Sequence, residues 1–212
     1  MSDLKKLMPS TELGNHVDTE TGDVRQAIYR EGHPRQYRFN ASTGVINLNG
    51  EQNLTKPGKE FSFIPVALRV FKDDLFERGR QTWVEMFFLN TANQLCSLMA
   101  HGYSVENLER LESELFYDNL MINEVILTMK PVEKISKSAE GAKYFIAEFS
   151  YEAAPEDLVK AQKTAIEGLA IYRRDTWNTG AVNLIQLNYS PPVALEELPE
   201  GEQAPQLEEA QQ

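Results

Sequence analysis

The chain has 212 residues, of which 42% are hydrophobic and 25% are charged, and it carries a formal net charge of −11. This composition is ordinary for a globular protein and too apolar for a wholly disordered one. The apolar runs are much shorter than a bilayer-spanning helix, and the single cysteine, Cys96, cannot form an internal disulfide. Because the N-terminus also lacks a signal-peptide pattern, the sequence predicts a soluble cytoplasmic protein.

Residues 1–23 show no sustained periodicity and are predicted to form an irregular arm. After the arm, runs of β-branched and aromatic residues between turn signals predict a series of strands. Pro65 lies inside one of these runs and indicates a sheet edge or a β-bulge. The predicted strands cover residues 35–41, 45–48, 60–71, 81–89 and 94–100. The last two of these strands are predicted to pair as a hairpin.

An amphipathic helix is predicted next, with Ser104 as its N-cap. Apolar side chains recur at spacings of three and four residues along this helix, while glutamates occupy the other face. The apolar face should therefore pack on the strands. Its predicted buried residues are Val105, Leu108, Leu111 and Leu115.

Two further strands, at residues 122–129 and 143–151, are predicted to form a hairpin. A second helix is predicted from residue 155 to about 174, and a terminal strand at 181–189. The sequence Ser-Pro-Pro at 190–192 should end the ordered structure. We therefore predict one mainly β domain with some α structure over residues 24–190, built as a small antiparallel β-barrel or sheet. Residues 191–212, rich in Glu, Pro, Gln and Ala, are predicted to be a disordered acidic tail.

Charge is distributed unevenly along the chain. Residues 24–80 contain ten Lys and Arg against six Asp and Glu, whereas residues 193–212 contain six Glu and no base. The negative total therefore conceals a basic segment at residues 24–80, and such a segment can attract phosphate groups.

Motifs that carry chemistry are absent from the sequence. The three histidines are scattered without metal-ligand spacing, and neither a Gly-Lys-Ser/Thr loop, a Gly-x-Gly-x-x-Gly run nor a Gly-x-Ser-x-Gly elbow occurs. Cys96 lies in an apolar run, which favours a small core residue over a nucleophile. The sequence thus predicts a protein that is not an enzyme and that holds neither a cofactor nor a metal.

Aromatic residues are interleaved with bases in the predicted early strands. Tyr37 lies between Arg35 and Arg38, and Phe71 lies between Arg69 and Lys72. Single-stranded nucleic acid is bound by this combination, because bases stack on aromatic rings while Lys and Arg follow the phosphates. Aromatic residues in strands more often pack in the core, so each ring can be interpreted either as a stacking surface for a base or as a core residue.

The predicted order of three strands, a helix and two further strands, followed by an acidic C-terminal tail, resembles the OB-fold single-stranded DNA-binding proteins of phage replication systems. The resemblance covers residues 35–151 and, separately, the tail from residue 191. It implies an OB-like barrel that coats single-stranded DNA during replication or recombination, in a bacterial or infected host cell. It also implies a tail that recruits replication or recombination proteins or covers the basic groove, and possible homo-oligomers.

The resemblance assigns two roles to residues of this chain. The stacking candidates are Tyr37, Phe39, Phe71 and Trp83. The candidate phosphate contacts are Arg35, Arg38, Arg69, Lys72, Arg78 and Arg80. Strand alternation places Tyr37 and Arg38 on opposite faces, so both can serve one groove only at a bulge or a barrel mouth.

Two other classes of function compete with DNA binding. One is a structural or assembly protein, such as a virion component or an oligomerisation module, whose β core pairs with copies of itself. The other is an enzyme with a carboxylate site, for which the available side chains are Asp73, Asp74, Glu85 and Glu148.

Overall fold

The computed structural model describes residues 16–17, 24–25, 27–75, 79–136, 141–171 and 182–188. Its helices are α1 (Tyr103–Tyr117), a short 3-10 helix (Ile122–Glu124) and α2 (Glu156–Ile166). Its strands are β1 (His16–Val17), β2 (Val24–Arg25), β3 (Arg35–Asn40), β4 (Val45–Leu48), β5 (Gln52–Asn53), β6 (Phe61–Phe63), β7 (Pro65–Asp73), β8 (Gln81–Leu89), β9 (Leu95–His101), β10 (Val125–Ile135), β11 (Lys143–Ala153) and β12 (Val182–Asn188).

The protein is mainly β with two α-helices, as the sequence predicts. The larger sheet has the strand order β12-β7-β8-β9-β3-β4-β5, and a second sheet has the order β11-β10-β6. The short strands β1 and β2 pair only with each other. The predicted terminal strand corresponds to β12. Most of the predicted arm and the whole predicted tail lie outside the described residues.

The strands β6 and β7 form nearly one continuous run that belongs to both sheets. β6 pairs with β10, and β7 pairs with β8 and β12. The pairing register of β7 with β8 shifts between Pro65 and Ala67, so the bulge indicated by the proline is present. At this shift the chain leaves the three-stranded sheet, to which β6 belongs, and enters the larger sheet through β7.

Of the two predicted forms, barrel or sheet, the structure has sheets: the two do not join into a continuous ladder and do not close into a barrel. β3 pairs parallel to β9, at the edge where a closing strand would have to pair. β11 approaches that region through a single backbone hydrogen bond, from Phe145 N–H to Ala41 O at 2.7 Å. The gap beyond it is occupied by side chains of α1.

Side chains of α1 satisfy the free edge of β11. The backbone N–H of Ala147 donates to Ser104 Oγ at 3.0 Å, and Asn107 Nδ2 donates to the Ala147 carbonyl at 2.7 Å. Ser104 is therefore not the N-cap that the sequence predicts; the N-cap is Gly102. The helix already begins at Tyr103, so Ser104 lies inside its first turn, and no side-chain cap bond is formed at Gly102.

The main hydrophobic core lies between α1 and the inner face of the sheets. It includes the four helix residues predicted from the periodicity, all of which are buried. A second cluster covers the outer face, where Ala165, Ile166, Leu169 and Ile171 pack against β8 and the start of β9. α2 ends at Ile166, earlier than predicted, because Gly168 has φ +76° and turns the chain. Within the described residues, no helix is long and apolar enough to cross a membrane.

Gly44 joins three parts of the fold. It is buried in the turn between β3 and β4 with φ +66°, and its carbonyl accepts a hydrogen bond from Gly58 N–H at 3.1 Å. A Cβ at Gly44 would lie 2.6 Å from Cδ1 of Phe145. Only glycine fits both this contact and the left-handed backbone conformation.

We expect Gly44→Ala to lower the free energy of unfolding by about 2–4 kcal/mol, since it adds a steric clash to the penalty for a positive φ. Gly58→Ala is the matched control, because Gly58 also has a positive φ but an added Cβ would meet no atom within 4 Å. The control should lose only about 1 kcal/mol. Urea unfolding of both variants measures the difference, and equal losses would contradict the packing role of Gly44.

Candidate nucleic-acid interface

Strand pairing places four polar side chains and one methionine in a row across the outer face of the larger sheet. Arg69 is opposite Glu85, Glu85 is opposite Met99, and Met99 is opposite Arg38. Arg38 is in turn opposite Asn47. Side chains of directly paired residues point to the same face of a sheet, so all five lie together on this face.

The predicted stacking residues Phe71 and Trp83 form the next row of the outer face with His101. Both rings are buried, and Trp83 packs on the imidazole of His101 with centroids 4.6 Å apart. The indole N–H of Trp83 donates to the carbonyl of Asp73 at 3.2 Å. A buried ring has no free face for a base, so neither ring can stack on a nucleic acid in this conformation.

Tyr37 and Phe39 lie on the opposite face and face the main core. Tyr37 is buried in edge contact with Phe88, with ring centroids 5.3 Å apart, and burial raises the pKa of its phenol. Phe39 is partly buried against the same cluster. These two rings are therefore packing residues here, and the expected alternation between Tyr37 and Arg38 is present.

Arg69 is engaged in a buried ion pair with Glu85. Its Nε and Nη2 both donate to Glu85 Oε2, at 2.8 Å and 2.7 Å, and its guanidinium lies 4.6 Å from the centroid of the Phe71 ring. Both side chains are about nine-tenths buried. A guanidinium neutralised and buried in this way does not offer its charge to a phosphate.

Three other predicted phosphate contacts have different surroundings. Arg35 lies at the opposite end of the sheet, paired with Cys96, and its Nη1 donates to Gln94 Oε1 at 2.5 Å. Arg38 is half-buried, and its Nη2 donates to Gln36 Oε1 at 3.1 Å. Arg78 lies outside the described residues.

The remaining two predicted bases, Lys72 and Arg80, are exposed where β7 ends and β8 begins. The pairing of Trp83 with His101, and of Arg38 with Met99, puts this end of β7 at the same edge of the sheet as the turn after β3. The structure thus brings these two bases to the edge that carries the 41–44 turn.

Lys56 and Lys59 lie at this same edge, and sequence reasoning did not assign them to the site. They flank a tight turn in which Lys59 N–H donates to Lys56 O at 3.1 Å. Pro57 and Gly58, with φ +70° at the glycine, are the residues that a type II turn requires. The hydrogen bond from Gly58 N–H to Gly44 O holds the turn against the end of β3 and β4.

We call the set Lys56, Lys59, Lys72 and Arg80 the basic rim. All four side chains are exposed, and none has an ion-pair partner among the residues that the structure describes. From β7 to β4 the edge spans four strand spacings, or about 19 Å. The rim therefore consists of two pairs of exposed bases at the two ends of this span, and Glu106 and Glu109 of α1 line a hollow beside Gln81 and Thr82.

Acidic residues modify the two ends of the basic rim differently. Asp73 and Asp74 directly follow Lys72, so they reduce the positive potential at that end. At the other end the one acid that directly follows a rim lysine, Glu60, is itself paired with Lys130 at 3.5 Å. The positive potential of the rim should therefore be greatest around the turn that contains Lys56 and Lys59.

Cys96 is buried in β9 and its thiol donates to the carbonyl of Gln94 at 3.3 Å. Burial raises the pKa of this thiol to about 11, so little thiolate forms near neutral pH. The prediction of a core residue is confirmed. Among the described side chains, no group of three or more His, Cys, Asp and Glu residues is placed to hold a metal ion.

No protein-family model, no curated protein and no solved structure matches the chain.

We expect Glu85→Ala to lower the free energy of unfolding by about 3–5 kcal/mol, because it leaves the guanidinium of Arg69 buried without its partner. The double variant Arg69→Met, Glu85→Met removes both charges, so its free energy of unfolding should fall by less than that of Glu85→Ala. Urea unfolding of the single and double variants gives the comparison. A double variant less stable than the single one would show that the ion pair is not the source of the loss.

Proposed function

We propose that this chain is a non-catalytic single-stranded DNA-binding protein, in which the phosphate backbone crosses the basic rim. The observation that carries the proposal is the set of four exposed bases at one edge of the sheet, none of them ion-paired with another described residue. Lys and Arg that lie along a line attract a flexible polyanion and release its counterions, whatever the base sequence.

The connectivity of the strands supports the proposal. The order β6–β7, β8, β9, α1, β10, β11, with the first strand paired to both the second and the fourth, is the order expected of an OB-fold. Such folds bind oligonucleotides on the second and third strands and on the loops before the second and the fifth. Here Arg80 directly precedes the second of these strands, β8, and the fifth, β11, contacts the 41–44 turn through Phe145.

Burial of the aromatic rings determines what kind of binding is proposed. With Tyr37, Phe71 and Trp83 buried, charge contributes more to affinity than stacking does. Affinity should then fall steeply with salt and depend little on base sequence. This behaviour suits a protein that coats single strands during replication or recombination, in the cytoplasm of a bacterium or an infected host cell.

Removal of two rim charges should weaken binding in a defined way. We expect Lys56→Gln, Lys59→Gln to reduce affinity for labelled poly-dT and to make the slope of log K against log salt shallower by about 1.4, since each single-strand phosphate contact contributes about 0.7. Fluorescence anisotropy titrations at several salt concentrations measure both quantities.

The matched control for this experiment is Arg35→Gln, Lys160→Gln. It also removes two exposed positive charges, one at the far end of β3 and one on α2. The control should change the slope by less than half as much. Equal slopes for the two double variants would remove the rim from the site, and failure of the unaltered chain to bind poly-dT at low salt would contradict the DNA-binding proposal.

The acidic tail is proposed to compete with DNA for the basic rim and to recruit replication or recombination proteins. Its six glutamates carry no compensating base. We expect a chain that ends at residue 192 to bind poly-dT more tightly than the full chain at low salt, with the difference disappearing as salt screens the tail. The same titration checks this, and identical affinities at low salt would rule out competition.

A further inference from the structure

A cluster of exposed apolar side chains lies at the C-terminal end of α1, away from the basic rim. We call Phe116, Tyr117 and Met121 the α1 patch; their exposed fractions are 78%, 85% and 66%. Seven large hydrophobic residues are exposed in the described part of the chain, and these three fall within six consecutive positions. Scattered exposed hydrophobics are ordinary, whereas a contiguous group indicates an interaction site.

Hydrogen bonds fix the backbone that carries the α1 patch, and its two rings contact each other. The rings of Phe116 and Tyr117 are in edge contact, with centroids 5.6 Å apart and planes at 79°. Asp118 Oδ2 accepts a hydrogen bond from Tyr151 Oη at 2.7 Å, and this bond raises the pKa of Tyr151 to about 12. The backbone N–H of Met121 donates to Glu124 Oε2 at 3.1 Å. An ordered apolar surface loses less conformational entropy when it binds a partner.

The surroundings of the α1 patch are strongly acidic. Between residues 112 and 118 the chain has three acids, Glu112, Glu114 and Asp118, and no base. The turn before them carries Glu109 and one base, Arg110, which hydrogen-bonds to the side chain of Asn107 within the same helix.

We propose that the α1 patch is a docking site for a cationic segment of a partner protein that also carries apolar side chains. The apolar anchors of the partner would cover the rings of Phe116 and Tyr117, and its bases would face the glutamates of α1. Exposed aromatic residues supply most of the energy in such interfaces, and charge complementarity orients the partner and excludes acidic competitors. The patch is separate from the basic rim, so a partner could bind while DNA occupies the rim.

The test uses the full chain and a labelled synthetic peptide of alternating lysine and leucine as the probe. Peptides in which glutamate replaces lysine, or serine replaces leucine, report the charge and apolar requirements. We expect Phe116→Ser, Tyr117→Ser to weaken binding of the lysine–leucine peptide about tenfold in anisotropy titrations. The glutamate and serine peptides should bind much more weakly than the lysine–leucine peptide.

The control is Tyr103→Ser, Ile135→Ser, which removes two other exposed apolar side chains, 61% and 64% exposed. It should change peptide affinity less than twofold. Equal weakening by both double variants, or tight binding of the glutamate peptide, would overturn the proposal. So would light scattering that shows an oligomer of the unaltered chain and a monomer of Phe116→Ser, Tyr117→Ser, because the patch would then join two copies.

Discussion

Residues 61–73 constrain the whole structure, because both sheets hydrogen-bond to this one strand run. Every residue from Phe61 to Phe71 is buried. A strand covered on both faces must be apolar or must pair each polar group that it contains. Ser62 shares a hydrogen bond of 2.8 Å with Thr128, and Arg69 is paired with Glu85. The buried run satisfies that condition at both of these polar side chains.

The placement of the basic rim follows from how this central strand ends. The run stops being buried at Lys72, and the strands beside it reach the same edge. Backbone contacts then bring a distant turn to this edge: Gly58 bonds to Gly44, whose surface is covered by Phe145. Local turn chemistry and two long-range contacts therefore assemble charges that are far apart in the sequence.

Predictions from the sequence succeeded where a local pattern is sufficient, as in β8, whose bounds of Gln81–Leu89 were predicted fully. They failed where contacts between residues far apart in the sequence determine strand pairing or side-chain bonding. The parallel pairing of β3 with β9 joins segments about 60 residues apart, and Ser104 bonds to a strand 43 positions away. Burial of both faces of β8 also removes the alternation from which the packing role of Trp83 could have been read. Lys72 and Arg80 of the basic rim were predicted as phosphate contacts, whereas Lys56 and Lys59 could be assigned to it only from the fold.

The inaccessible thiol of Cys96 makes this chain convenient for site-specific labelling. Thiol reagents attack the thiolate, and a buried group whose pKa is near 11 supplies very little of it to solvent. A second cysteine placed on the surface, for example by Lys59→Cys, can therefore be modified without first replacing the native one. Fluorophores or spin labels at chosen positions would then report distances in the intact molecule.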